Sequence, residues 1–145
     1  MNFSYRQAYP TDKKAIFDIY RLVMSEFIEE IWGWNEEWQL DDFEKHFIPE
    51  NINLVYSDTD LIGYSQVDNQ SNQKHLRMLA IHPAHQRNGI GSKLLHSFIS
   101  YQEGKPVKLS LEVFKINTIA IEFYEKNGFT VERETSTSYV MNFQN

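Results

Sequence analysis

The stretch Gln86-Arg87-Asn88-Gly89-Ile90-Gly91 is the part of this sequence whose residue types and spacing could hold a charged ligand. It follows strand-like Leu79-Ala80-Ile81 and Pro83, which has no N–H to donate and ends the strand. From Ile90 the apolar residues Leu94, Leu95 and Phe98 recur at helical spacing. The first turn of such a helix leaves bare N–H groups at the positive end of its dipole, which suits a phosphate. Gly89 and Gly91 would let the backbone of Gln86–Ser92 come close to that anion, and Arg87 and Lys93 add positive charge at the rim. The same glycines would equally serve a tight strand-to-helix connection. No Gly-Lys-Ser/Thr closes a nucleotide loop here, and Leu94 stands where a dinucleotide fingerprint needs its third glycine.

Composition narrows the chemistry. The 145 residues carry no cysteine, which excludes disulfides, thiolate zinc sites and a cysteine nucleophile. None of the histidines at 46, 75, 82, 85 and 96 forms a His-x-x-x-His pair, so no metal is expected. A net charge of −6 argues against nucleic acid as the partner. No apolar run is long enough to span a bilayer and no signal-peptide pattern is read, so the expected compartment is the cytoplasm. Residues 26–50 hold Glu26, Glu29, Glu30, Glu36, Glu37, Asp41, Asp42, Glu44 and Glu50 against the single base Lys45, together with Trp32, Trp34 and Trp38. They read either as solvated helix faces with packing tryptophans or as an acidic, aromatic mouth for a cation.

The elements that must position these residues follow from periodicity. Residues 2–8 read as a strand, 12–30 and 35–47 as helices, 52–57 and 61–67 as strands joined by the turn Asp58-Thr59-Asp60. A polar turn over 68–73 leads to a strand at 75–81. The helix after the glycine loop is expected to run to Glu103-Gly104, with Gly104 as its stop. A strand over 107–113, a helix over 116–127 and strands at 129–134 and 138–143 close the chain. The length suits a single domain over 1–145, and the order β-α-α-β-β-β-α-β-α-β-β predicts a mixed α/β sheet with helices on its faces.

The order Pro83, Gln86/Arg87, Gly89, Gly91 resembles the acetyl-coenzyme A loop of the GNAT family of N-acetyltransferases. A second stretch, Asn117, Ala120, Phe123-Tyr124 and Asn127-Gly128-Phe129, resembles that family's C-terminal motif. The resemblance spans nearly the whole chain. It implies a GNAT fold: an α+β architecture with a mostly antiparallel twisted sheet of six to seven strands, about four helices, and splayed central strands. The pantetheine arm of acetyl-coenzyme A would lie in that gap and pair with the backbone of Leu79, Ala80 and Ile81. The pyrophosphate would sit on the N–H groups of Gln86, Arg87, Asn88, Gly89, Ile90, Gly91 and Ser92. Asn117 and Ala120 would contact the cofactor arm, and Tyr124 would stand beside the thioester sulfur.

Without a cysteine, a bound amine is expected to attack the thioester directly. Tyr124 is then the candidate general acid for the leaving thiolate; outside the resemblance it reads as a core tyrosine. The base stays open. Many relatives carry a glutamate on the strand before the loop, where this chain has His75, Arg77 and Met78. Candidates are Glu37, Glu112, Glu36, His75 or a water relay. The acceptor would be a small-molecule or peptide amine, cationic if the acidic segment selects it. A homodimer is common among relatives, which is analogy. Two other classes remain: an acyl-coenzyme A-binding module without catalysis, and an interaction protein using the acidic tryptophan segment.

Overall fold

A computed structural model describes residues 2–143. Two compact units interleave along the chain: one runs to Gln66 and adds Met78–Gln86, the other holds Val67–Arg77 and the chain from Arg87.

The first unit opens with strand β1 (Phe3–Gln7) and a 3-10 turn at Pro10–Asp12, followed by helix α1 (Lys13–Ile31). Arg6 grips the Asp12 carboxylate with both guanidinium nitrogens, at 2.9 and 3.0 Å, and Asp12 also accepts the Tyr9 N–H at 2.7 Å. This arrangement fixes how the chain enters α1. The helix turns Ile16, Phe17, Ile19 and Ile28 inward, as its helical spacing of apolar residues requires. Gly33, at φ +84°, closes it by donating to the Ile28 and Glu29 carbonyls. Asn35 then caps helix α2 (Glu36–His46) by accepting the Trp38 N–H at 2.9 Å. Strand β2 (Ile52–Ser57) pairs antiparallel with β1 and with strand β3 (Asp60–Gln70). Ala8, Ile16, Ile19, Ile52, Leu54, Tyr64 and Ala80 form the core of this unit.

Strand β4 (Gln73–Ile81) leads through a 3-10 turn at Pro83–His85 to helix α3 (Ile90–Ser97). In the second unit a short hairpin of β5 (Tyr101–Gln102) and β6 (Lys105–Pro106) precedes β7 (Lys108–Phe114), helix α4 (Thr118–Lys126), β8 (Thr130–Glu134) and β9 (Ser138–Phe143). Seven strands are hydrogen-bonded in the order β1-β2-β3-β4-β7-β9-β8. β7 pairs antiparallel with β9, and β9 with β8. β4 and β7 run parallel, in register from Gln73↔Lys108 to Leu76↔Leu111. Among the described residues no helix is long and apolar enough to cross a membrane.

Two expectations need correction. The helix after the glycine loop ends at Ser97, well before Glu103-Gly104. Those two residues, at φ +52° and +78°, are instead the tip of the β5–β6 hairpin. Positive φ at both central residues is the geometry of a tight hairpin turn, and Gly104 serves it. The polar stretch 68–73 is mostly strand, with only Ser71 and Asn72 forming the turn. Ser71 takes the left-handed φ of +48° that the turn requires; polarity there marks solvent exposure rather than a loop.

Candidate active site

The glycine loop divides its work between conformation and packing. Arg87 and Gly89 lie at φ +67° and +83°, so the chain turns into α3 through two left-handed residues. Gly89 is the N-cap position, and its carbonyl accepts the Lys93 N–H at 3.1 Å. Gly91 has an ordinary helical φ; a Cβ there would meet the Phe123 ring at 3.2 Å. Gly91 is therefore small because α4 packs on α3 at that point. The tight-packing reading holds for Gly91, and backbone freedom holds for Gly89.

The amides of the loop are unequally free. Gln86 donates its backbone N–H to Pro83 O at 3.3 Å and its side-chain amide to Ile81 O at 2.9 Å. Asn88 Oδ1 accepts the Ile90 N–H at 3.2 Å. Among the described residues the N–H groups of Arg87, Asn88, Gly89, Gly91 and Ser92 meet no protein acceptor. The chain from Arg87 to Lys93 contains no carboxylate. Bare donors, a helix start and two cationic side chains fit an anionic group such as a pyrophosphate.

Of the strand residues expected to face the cofactor, Ala80 and Ile81 are buried and Leu79 is partly exposed. The strand is pressed from β3 by Gly63: a Cβ there would lie 2.4 Å from Ala80 O. Opposite Gly63 the β2–β3 register slips between Val55 and Tyr56, leaving Ile62 as the extra residue, whose carbonyl accepts the His82 N–H at 2.7 Å. Gly63 positions the backbone of β4, and sequence reading passed over it. A lone glycine inside a strand was the available signal, since it marks a bulge or a close backbone approach.

Asn117 caps α4 by accepting the Ala120 N–H at 3.2 Å. Its amide nitrogen keeps its donors free of protein partners among the described residues. Tyr124 packs its ring on Phe123 and Phe129, with centroids 5.3 and 5.8 Å apart. No protein group hydrogen-bonds its hydroxyl among the described residues. Burial pushes the phenol up to about 12, so it stays protonated through the neutral range.

The base candidates separate clearly. Glu36 forms an ion pair with Arg21 and accepts the Trp34 indole N–H at 2.9 Å. The Arg21 hydrogen bond holds its carboxyl below the usual range. Glu36 is thus a tether between α1 and α2. Glu37 and Glu112 are exposed and have no hydrogen-bond partner among the described residues. On β4, His75 Nδ1 lies 3.0 Å from Ser110 Oγ on β7. Burial lowers the His75 value; Glu112 and Asp68 oppose this, and Arg77 adds to it.

In the acidic segment, a surface groove of about 470 Å³ is lined by Arg21, Ser25, Glu26, Glu29, Glu30 and Trp34. Arg21 is occupied by Glu36 and Asp18, and Glu29 accepts the Trp34 N–H at 2.5 Å. Trp34 is the packing tryptophan, 6.4 Å from Phe17 and 6.1 Å from Tyr20 by ring centroid. Trp32 and Trp38 are 64% and 60% exposed, so the packing reading holds for one of the three.

Comparison with known proteins gives a consistent picture. Residues 14–129 match the family described as Acetyltransferase (GNAT) family. A spermidine N(1)-acetyltransferase of Thermoplasma acidophilum is 24% identical, over 89% of this chain and 92% of that protein. The crystal structure of the PaiA N-acetyltransferase of the same organism, in complex with coenzyme A, superimposes with a TM-score of 0.76 at 19% identity, covering 100% of both chains. The structure of yncA from Salmonella typhimurium, with acetyl-coenzyme A, gives a TM-score of 0.62 at 18% identity, covering 99% of this chain and 94% of that one.

Proposed function

The chain belongs to the acetyltransferase (GNAT) family, and we propose that it moves an acetyl group from acetyl-coenzyme A directly to a primary amine that carries positive charge. The observation that carries this reading is the set of bare amides at Arg87, Asn88, Gly89, Gly91 and Ser92, opening a helix beside a chain segment free of carboxylates. These amides would hold the pyrophosphate. Leu79 and Ile81 would pair with the pantetheine arm, and Asn117 and Ala120 would flank it. Acetyl-coenzyme A supplies the activated acyl group, and the chain's residues supply binding, orientation and proton handling.

The absence of cysteine supports direct attack, since no thiol is present to form a thioester acyl-enzyme. Tyr124 holds an unshared proton near where the resemblance places the sulfur. Its value of about 12 lies above that of an ordinary thiol, ~8.5. Complete proton transfer to the thiolate is therefore uphill. Tyr124 acts mainly by donating a hydrogen bond as negative charge grows on sulfur, a donor matched to the transition state rather than the ground state.

The cationic acceptor is supported by charge. Glu26 and Glu30 line the groove without ion-pair partners among the described residues, and exposed Trp38 offers a ring face to a cation. The spermidine-acetylating relative points the same way. Compartment and oligomeric state follow the family pattern in this reading: a cytoplasmic enzyme, with a homodimer as the arrangement to test by light scattering. Thiol release from acetyl-coenzyme A against a panel of amines tests the acceptor class. Spermidine and other polyamines should be accepted, and uncharged-chain amines poorly. Glu26→Gln with Glu30→Gln should raise the KM for spermidine several-fold, more so at low salt, and leave that for acetyl-coenzyme A unchanged. Equal effects on both KM values would refute the charge argument.

A further inference from the structure

We propose that His75 is the proton acceptor of the transfer reaction, with Ser110 fixing its imidazole so that Nε2 presents the lone pair. This rests on the transfer reading above. His75 and Ser110 are register partners on β4 and β7, one pair before the parallel register ends at Leu76↔Leu111. The side chain therefore stands at the end of the β4–β7 ladder, on the strand expected to carry the thioester. His75 Nδ1 lies 3.0 Å from Ser110 Oγ; in the proposed tautomer Nδ1 donates to that oxygen and Nε2 carries the lone pair. Nε2 has no protein partner among the described residues.

The charges around the ring suit the task. Asp68 on β3 and Glu112 on β7 favour the imidazolium, and Arg77 on β4 opposes it. Half-burial keeps the ring neutral at rest. The site thus starts with a free lone pair, and carboxylates outnumber the guanidinium when a proton arrives, which is what a general base near neutral pH requires. Glu36 is spent on Arg21 and Trp34, and Glu112 serves the imidazolium without taking the proton itself.

The step balances as follows. The neutral amine adds its nitrogen lone pair to the thioester carbonyl carbon, a C–N bond forms, and the carbonyl π pair moves to oxygen. The nitrogen, now cationic and acidic, gives one proton to His75 Nε2. The oxygen pair returns, the C–S bond breaks, and sulfur leaves with the bonding pair. The leaving thiolate is held by a hydrogen bond from the Tyr124 hydroxyl, which keeps its proton; sulfur takes its proton from solvent, and His75 returns the amine's proton to solvent. The products are one amide and one thiol.

The test combines kinetics with the state of the ring. In the wild type, kcat should fall as pH drops through a value below 6.5. In His75→Gln this acid limb should vanish and kcat at pH 7 should fall roughly 10²–10⁴-fold, the usual contribution of a general base. Ser110→Ala should keep the limb but move it, with a smaller loss. Unchanged calorimetric binding of coenzyme A shows that both variants are folded. Nitrogen-15 resonances of His75 should report Nδ1 protonated and Nε2 bare. An Nε2-protonated ring, or a His75→Gln enzyme with the wild-type kcat and pH profile, overturns the assignment. Absence of thiol release by the wild type with every amine instead overturns the transfer reading, and His75 as base with it.

Discussion

Tyr124 shows how much a single side chain can be asked to do. Its ring is a packing group on α4 between Phe123 and Phe129, and its hydroxyl is unspent. Tyr124→Phe removes only that hydroxyl, so stability should change little and kcat should fall about 10- to 100-fold, with the KM for acetyl-coenzyme A nearly constant. A fall in thermal midpoint with unchanged kcat would return Tyr124 to the core-tyrosine reading. With its phenol at about 12, no basic limb below pH 11 should come from this residue. The residue itself could be singled out in the sequence because Tyr124 stands in a stretch that resembles a family motif. The partners were less legible. Nothing in the string 109–129 places Ser110 against His75, thirty-five positions earlier, since that contact exists only through the β4–β7 register. For the same reason Glu36 read as a free acid until Arg21 on α1 was seen to hold it.

At the scale of elements, the two glycines of the loop should fail differently. Gly89→Ala places a side chain at φ +83°, a strain of about 1–3 kcal/mol, and should weaken acetyl-coenzyme A binding by disturbing the loop backbone. Gly91→Ala leaves φ untouched but pushes Phe123 by a few tenths of an ångström. That ring touches Tyr124, so the loss should appear in kcat before it appears in cofactor affinity. Asn117→Ala removes the α4 cap and should lower stability by about 1 kcal/mol; chemical denaturation measures it. Most elements were readable from period and punctuation: α1, α2, β2 and α4 lie within two residues of their expected ends. The exception after Ser97 has a physical cause. The apolar residues Phe98, Ile99 and Tyr101 continue a helix-like pattern, but Glu103-Gly104 can adopt two successive left-handed conformations, and the hairpin they close takes the chain out of the helix.

For the whole molecule, the acid response follows from the paired groups. Asp12, Glu36 and Glu132 are held below the ordinary carboxylate range, chiefly by hydrogen bonds from Arg6, Arg21 and Lys108. A depressed folded value contributes stability above the unfolded value and loses it as pH falls through the folded one. His75, also depressed, adds a loss that begins as pH drops below 6.5. The thermal midpoint should therefore be flat above neutrality, slip slightly below pH 6.5, and fall steeply below pH ~4. Asp12→Asn should flatten the lower part, and His75→Gln should abolish the upper slip. The order of strands was the least legible feature, because antiparallel neighbours β7 and β9 flank a helix and an intervening strand; the resemblance implied splayed central strands and left the order unstated. The central claim is direct transfer without an acyl-enzyme. It is tested most directly by rapid mixing of excess enzyme with acetyl-coenzyme A, with and without spermidine, while free thiol is followed. Thiol should appear only when the amine is present, one for each acetylspermidine formed. A stoichiometric burst of thiol without amine, or no thiol despite bound acetyl-coenzyme A and spermidine, would contradict it.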